Sequence, residues 1–212
     1  PSRDTDLIVF FQGVADFAYD ASVIYHEYTH AVIGINRLQG FMIDQYGDMR
    51  WYLDVANKTG IYGLQQNKIG NILWAQNQTL YETSLSGEYL NISEIPAEYG
   101  SIHHDLVQIR DEQFLLTVNH NKLNSIEDMV ILYDRTENSV IKEWDLNESI
   151  PKSNFFMETR IVNEAEDWFH NNSIEFIDKE NSLILSGQRY GVVKLTWDNE
   201  LVWILSDPIR FQ

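Results

Sequence analysis

The chain has 212 residues, 44% of them hydrophobic and 13% aromatic, which is enough apolar material for a real core in one or two domains and too much for a disordered tail. Its 32 acidic against 15 basic residues give a formal net charge of −17, a sign that repels a phosphate backbone and argues against nucleic acid as a partner. Cysteine is absent, which removes disulfides, thiolate catalysis and cysteine-ligated zinc. No stretch reaches the roughly 18 to 20 apolar residues that cross a bilayer, and Pro1-Ser2-Arg3-Asp4 lacks the basic-then-apolar pattern of a signal peptide.

In chain order, Val14, Phe17, Ala18, Ala21, Ile24, Tyr25, Tyr28, Ala31 and Val32 recur at intervals of three and four and predict one amphipathic helix from Ala15 to about Ile35. Asp16 or Asp20 caps it and Gly34 stops it. The helix carries His26-Glu27-Tyr28-Thr29-His30. Histidines four apart share a helix face and can both ligate zinc, while Glu27 can act as general base on a zinc-bound water. The run from Asp20 to Val32 resembles the active helix of thermolysin-like and fungalysin-like metallopeptidases. A catalytic zinc site wants a third protein ligand, which in those families is a Glu on a following helix, and no Glu lies between Glu27 and Glu82. Asp44, Asp48 and Asp54 fall in strand-like sequence, and Ile33 and Asn36 stand where the metzincin pattern needs Gly and His. Residues 1–37 therefore form a helical segment that is a zinc peptidase remnant, an accidental match, or one side of a junction between unrelated pieces near residues 35–40.

After Gly40 the pattern turns to short runs rich in Val, Ile, Leu, Phe, Tyr and Trp, separated by Asn, Asp and Gly, which predict strands and turns. The best runs are 41–44, 49–53, 72–75, 106–109, 114–118, 129–133, 140–146, 174–177, 183–186, 192–196 and 201–205. A weak repeat of a polar turn followed by a strand bearing Trp51, Trp74, Trp144 or Trp203 suits propeller blades, with a two-sheet sandwich as the alternative. The expected fold class is mainly β: residues 38–212 as a partial, incomplete β-propeller of about three to four blades, preceded by the one helix.

Three segments carry a family resemblance: Asp167-Trp-Phe-His-Asn-Asn-Ser-Ile174 with Asn181 to Arg189 and Val192 to Leu195, Ser101-Ile-His-His-Asp-Leu106 before Phe114 to Val118, and Phe41 to Tyr52. Together they resemble the bacterial arylsulfate sulfotransferases over about residues 38–212. That resemblance implies transfer of a sulfuryl group from an aryl sulfate ester to a phenol through a sulfohistidine, with no metal or other cofactor. It implies His104, His170 and Arg189 as the sulfate-binding and acid–base residues, His104 being preferred over its neighbour, with His103 and Asn171 beside them as substrate-binding residues.

The chemistry fits those residue types. A guanidinium can grip two sulfate oxygens, and an imidazole near its normal pKa can protonate a departing phenolate. Taken singly, each is ordinary: His170 as a hydrogen-bonded core or rim histidine, Arg189 beside Tyr190 as a stacked side chain, the histidine pair as a strand edge, and His120 as a surface residue. The family's sulfuryl-accepting histidine lies in a later blade, and no histidine follows His170. A catalytically incomplete fragment, inactive or weak, is therefore expected. The alternatives are a zinc metallopeptidase using His26, Glu27 and His30, and a non-catalytic propeller that only binds a ligand. Expected partners are an aryl sulfate and a phenol, with a homodimer allowed. The resemblance implies a periplasmic or secreted parent protein.

Overall fold

The computed structural model describes residues 40–43, 49–53, 60–121, 126–151, 160–162 and 165–206. The predicted helix with His26, Glu27 and His30, and also Asp44, Asp48 and Asp54, lie outside the described residues. The chain divides into two units, residues 1–59 and 60–212. In the first, β1 (Gly40–Ile43) and β2 (Met49–Leu53) pair as an antiparallel hairpin.

The second unit contains three four-stranded antiparallel sheets, each with its strands in sequence order. The first is β3 (Tyr62–Gln66), β4 (Ile72–Gln76), β5 (Thr79–Thr83) and β6 (Tyr89–Glu94). The second is β7 (Tyr99–Arg110), β8 (Gln113–His120), β9 (Met129–Asp134) and β10 (Ser139–Asp145). A short hairpin, β11 (Arg160–Val162) with β12 (Ala165–Asp167), leads into the third: β13 (Asn171–Ile177), β14 (Ser182–Gly187), β15 (Gly191–Thr196) and β16 (Leu201–Leu205). The first strands are neighbours, β7 touching both β3 and β13. Most exposed large apolar residues sit on the fourth strands: Tyr89, Leu90 and Ile92 on β6, Ile141 on β10, and Val202, Trp203 and Leu205 on β16. Sheets of up-and-down strands packed face to face, with first strands inside and fourth strands outside, are propeller blades. The fold is thus mainly β and a partial propeller.

The middle blade shows why the sequence reads as it does. Phe114, Leu116 and Val118 of β8 and Met129, Ile131 and Tyr133 of β9 face the first blade, against Leu73, Ala75 and Leu80. Leu115 of β8 and Val130 and Leu132 of β9 face the third blade, against Ile174, Leu183, Leu185 and Val193. Both faces are dry, so β9 is a continuous apolar run and not an alternating one. A salt-bridged Arg135 adds a polar tie between blades, its Nη2 2.8 Å from Glu82 of β5 and its Nε 2.7 Å from Glu112.

Several strands escaped the sequence reading. β3 contains Gly63, Gln65 and Gln66, β5 carries Thr79, Glu82 and Thr83, and β6 is largely exposed, so none presents an apolar run. Gly63 is required: its φ is +61°, and a Cβ there would lie 2.6 Å from the Leu106 side chain of β7. One helical turn, α1 (Leu146–Ser149), follows β10 and is capped by Asp145, whose side chain accepts from the Asn147 N–H. The tryptophan repeat does not mark one blade position. Trp74 is on a second strand and buried, Trp144 on a fourth strand and buried, and Trp203 on a fourth strand and exposed.

Because both faces of the middle blade are buried, Leu115→Ala and Leu116→Ala should each destabilise the protein by ~2–5 kcal/mol. Urea unfolding of the two variants checks this. A large loss for one and none for the other would indicate a sheet with a wet face.

Candidate functional site

His104 lies within an irregularity of β7. Ile102 pairs with Val118 and Leu106 with Leu116, so four steps along β7 face two along β8, and His103, His104 and Asp105 bulge out of the ladder. Buried Thr117 satisfies the backbone inside the bulge, donating to the His103 carbonyl and accepting from the Asp105 N–H at 3.2 Å. Asp105 ties the bulge to the third blade, accepting from Ile174 N–H at 2.8 Å and from Leu106 N–H at 2.9 Å. Burial pushes its carboxyl up to about 6, against those two hydrogen bonds.

A second irregularity, between Asn171 and Ser173, follows His170. Here Gly187 lets β14 pass Phe169 closely, since a Cβ would sit 2.8 Å from its ring. Between the two irregularities stands Glu127, in the β8–β9 connection. Its N–H donates to Asn119 Oδ1 at 2.8 Å and its carbonyl accepts from Asn171 N–H at 2.8 Å.

The three side chains meet. The His104 and His170 rings are 5.0 Å apart between centroids. Glu127 Oε2 lies 3.5 Å from His104 Nε2 and forms a short contact with His170 Nδ1. Asp167 joins the cluster to Arg189, with Oδ1 3.1 Å from His170 Nδ1 and Oδ2 3.2 Å from both Arg189 Nε and Nη2. The sequence-predicted residues His104, His170 and Arg189 are thus brought into one network. His103 is buried next to His104, ring centroids 5.2 Å apart. Asn171 is fully buried and begins β13. Both amide atoms of Asn171 are buried without a hydrogen-bond partner, while the His103 ring lies against the Val118 backbone. His120, expected at the surface, is half-buried and edge-on to Tyr99.

Backbone conformation singles out the same cluster. Seven non-glycine residues among those described have positive φ: four are asparagines, which tolerate the left-handed region, and the other three are His104, Glu127 and His170 at +47°, +59° and +57°. Such positions cost ~1–3 kcal/mol each and gather where a site requires them.

The electrostatics follow from this packing. Burial and the neighbouring His104 push the His103 imidazole down to about 3, so it is neutral. His170 is raised above the ordinary histidine value, because hydrogen bonds and charge from Glu127 and Asp167 outweigh its burial. Glu127 is held below the carboxylate range, because the His104 and His170 imidazoles beside it outweigh its own burial. Donor atoms of His104, Glu127 and His170 all lie within 4.8 Å of one another, a spacing open to a cation as well as to a shared proton.

Glu127 was not singled out from sequence. It sits outside any periodic run, in a chain with 32 acidic residues. Asp167 was visible only as part of the Asp-Trp-Phe-His motif.

Comparison with known proteins gives the chain a family. The family model described as arylsulfotransferase (ASST) matches residues 30–212, and the chain belongs to that family. It is 24% identical over 216 residues to the arylsulfate sulfotransferase AssT of Escherichia coli O6:H1 (strain CFT073), covering 78% of this chain and 36% of that protein. AssT of Lelliottia amnigena matches with the same identity and coverage. The chain therefore spans 36% of the length of these two relatives. Among solved structures, the WD40 β-propeller domain of Doa1 has a TM-score of 0.49 at 12% identity, covering 76% of this chain and 45% of that one.

The Glu127–His170 pair makes stability depend on pH. Its carboxylate part is present above the unfolded value of 4.5 and is lost as pH falls through the lowered folded value. Its imidazolium part is present below the unfolded value of 6.5 and is lost as pH rises through the raised folded value. The stability difference between the wild type and Glu127→Gln should therefore be largest between pH 4.5 and 6.5 and shrink on both sides. Urea melts across a pH series test this, and a difference that does not vary with pH would contradict it.

Proposed function

We propose that the network of His104, His170 and Arg189 binds the sulfate group of an aryl sulfate and assists transfer of its sulfuryl group to a phenol, without a metal or other cofactor. The observation that carries the reading is the convergence of two imidazoles and, through Asp167, a guanidinium, in a chain of the arylsulfotransferase family whose net charge is −17. Against that background field an anion needs such a local gathering of N–H donors.

A guanidinium has five N–H donors, and Asp167 engages only its Nε and Nη2. Nη1 remains for sulfate oxygens. In the transfer, the S–O bond to the aryl group breaks and its electron pair stays on the phenolate oxygen, which takes a proton from the His170 imidazolium. The sulfuryl group ends on the acceptor oxygen, and the acceptor's own proton is released. The orphan amide of Asn171 supports a substrate-binding role for it, since buried polar atoms of this kind are normally satisfied by a ligand or water, and His103 is proposed beside it from the family resemblance. The same family membership supports a periplasmic or secreted setting, and no helix among the described residues is long and apolar enough to cross a membrane. Zinc peptidase chemistry and homodimerisation gain no support from the described residues.

The test is phenol release from an aryl sulfate, with and without an acceptor phenol and with and without a zinc chelator. Weak acceptor-dependent, chelator-resistant release at most is expected of this chain, together with aryl sulfate binding that falls ~10-fold or more in Arg189→Ala, the usual loss for a hydrogen bond to a charged group. Chelator-sensitive release would point to metal hydrolysis. No release, together with no aryl sulfate binding, would remove the reading and leave a ligand-binding propeller.

A further inference from the structure

We propose that Glu127 is a positioning residue of this site, its carboxylate holding the Nδ1 edge of His170 so that the imidazole keeps a proton there and leaves Nε2 to the substrate. The inference rests on the sulfuryl-transfer reading for its purpose, but its geometry stands alone.

Two carboxylate oxygens converge on one ring nitrogen: Glu127 Oε2 in a short contact and Asp167 Oδ1 at 3.1 Å. A carboxylate only accepts, so Nδ1 must be the donor and must carry a proton. The remaining nitrogen, Nε2, is on the opposite edge of the ring. It carries a proton when the ring is an imidazolium and a lone pair when it is neutral, so the same tautomer can protonate a departing phenolate and afterwards take a proton back.

Asp167 alone would be a divided anchor, because its second oxygen is committed to Arg189. Glu127 is held at both backbone ends, by Asn119 of β8 and Asn171 of β13, so its carboxylate is fixed relative to the two blades that supply the histidines. The same oxygen also lies 3.5 Å from His104 Nε2 without a hydrogen bond to it, so His104 is close to the anchor but is not held by it. The groups facing His170 are Glu127 from the β8–β9 connection, Asp167 from the end of β12 and His104 from β7, with Arg189 behind Asp167 and His103 behind His104. Only two of these are acidic, and only Glu127 is free of an arginine. Burial lowers the imidazole's proton affinity, and these carboxylates more than restore it.

The experiment is nitrogen NMR of the histidine rings across a pH series, on the whole chain and on Glu127→Gln, Glu127→Asp and Asp167→Asn. In the wild type, His170 should hold its proton on Nδ1 when neutral and titrate above 6.5. Glu127→Gln should lower the midpoint by ~1 unit or more, the usual effect of losing an adjacent opposite charge, and Glu127→Asp should recover part of it. A bare Nδ1 in the neutral wild-type ring overturns the proposal without any variant, so a Glu127→Gln chain that fails to fold does not protect it. An unchanged midpoint in folded Glu127→Gln also overturns it. Stoichiometric zinc uptake by the wild type that Glu127→Gln abolishes would do the same, since the carboxylate would then be a metal ligand. If the NMR signatures appear but an aryl sulfate neither binds nor releases phenol, the hold on His170 stands and the sulfuryl-transfer reading is what fails.

Discussion

A strand with both faces buried cannot offer a polar side chain to either of them without cost, and the middle blade is buried on both. The candidate site residues here leave the regular ladder. His104 does so in a bulge of β7, His170 just before an irregularity of β13, and Glu127 in the turn between β8 and β9. Their shared left-handed backbone is the local price of that departure. The dry interblade packing fixes the three first strands beside one another, and the departures then aim polar groups at a common point. Gly63 and Gly187 belong to the same constraint, because a methyl group at either would push a strand away from the neighbour it must touch.

The bulge is tolerable because its backbone is not left unsatisfied. Thr117, itself buried, serves the carbonyl of His103 and the N–H of Asp105. Asp105 accepts from both β7 and β13, so it also ties the strand that carries His104 to the strand that His170 leads into. The deprotonated form makes those hydrogen bonds, yet burial brings the carboxyl near 6. Acidification therefore removes acceptor capacity from the seam next to the site, while it adds charge to His170.

Sequence exposed the fold unevenly, for physical reasons. Runs such as Phe114 to Val118 and Met129 to Tyr133 were legible because strands buried on both sides need apolar residues throughout. β3, β5 and β6 were not, since a strand made close to its neighbour by glycine, or exposed at a blade's edge, has little apolar pattern to show. The histidines and Arg189 could be picked out through matching local sequence, but their meeting point depends on interblade packing, which periodicity does not encode. Glu127 shows the limit most clearly. Its role comes from a turn conformation and from contacts 23 residues back to His104 and 43 residues on to His170, as their numbers show.

The charge of the cluster also bears on how an acidic protein could receive an anion. Glu127 and Asp167 nearly balance Arg189 and one protonated imidazole, so the resting network is close to neutral and avoids stacking like charges in a half-buried space. A fixed pair of extra arginines would bind sulfate more tightly, but would bind the substrate as well as the transition state and so add nothing to the chemical step. Imidazoles poised by carboxylates behave differently. If the network moves a sulfuryl group as proposed, the His170 proton goes to the leaving oxygen as charge develops there, and this favours the transition state over the bound substrate.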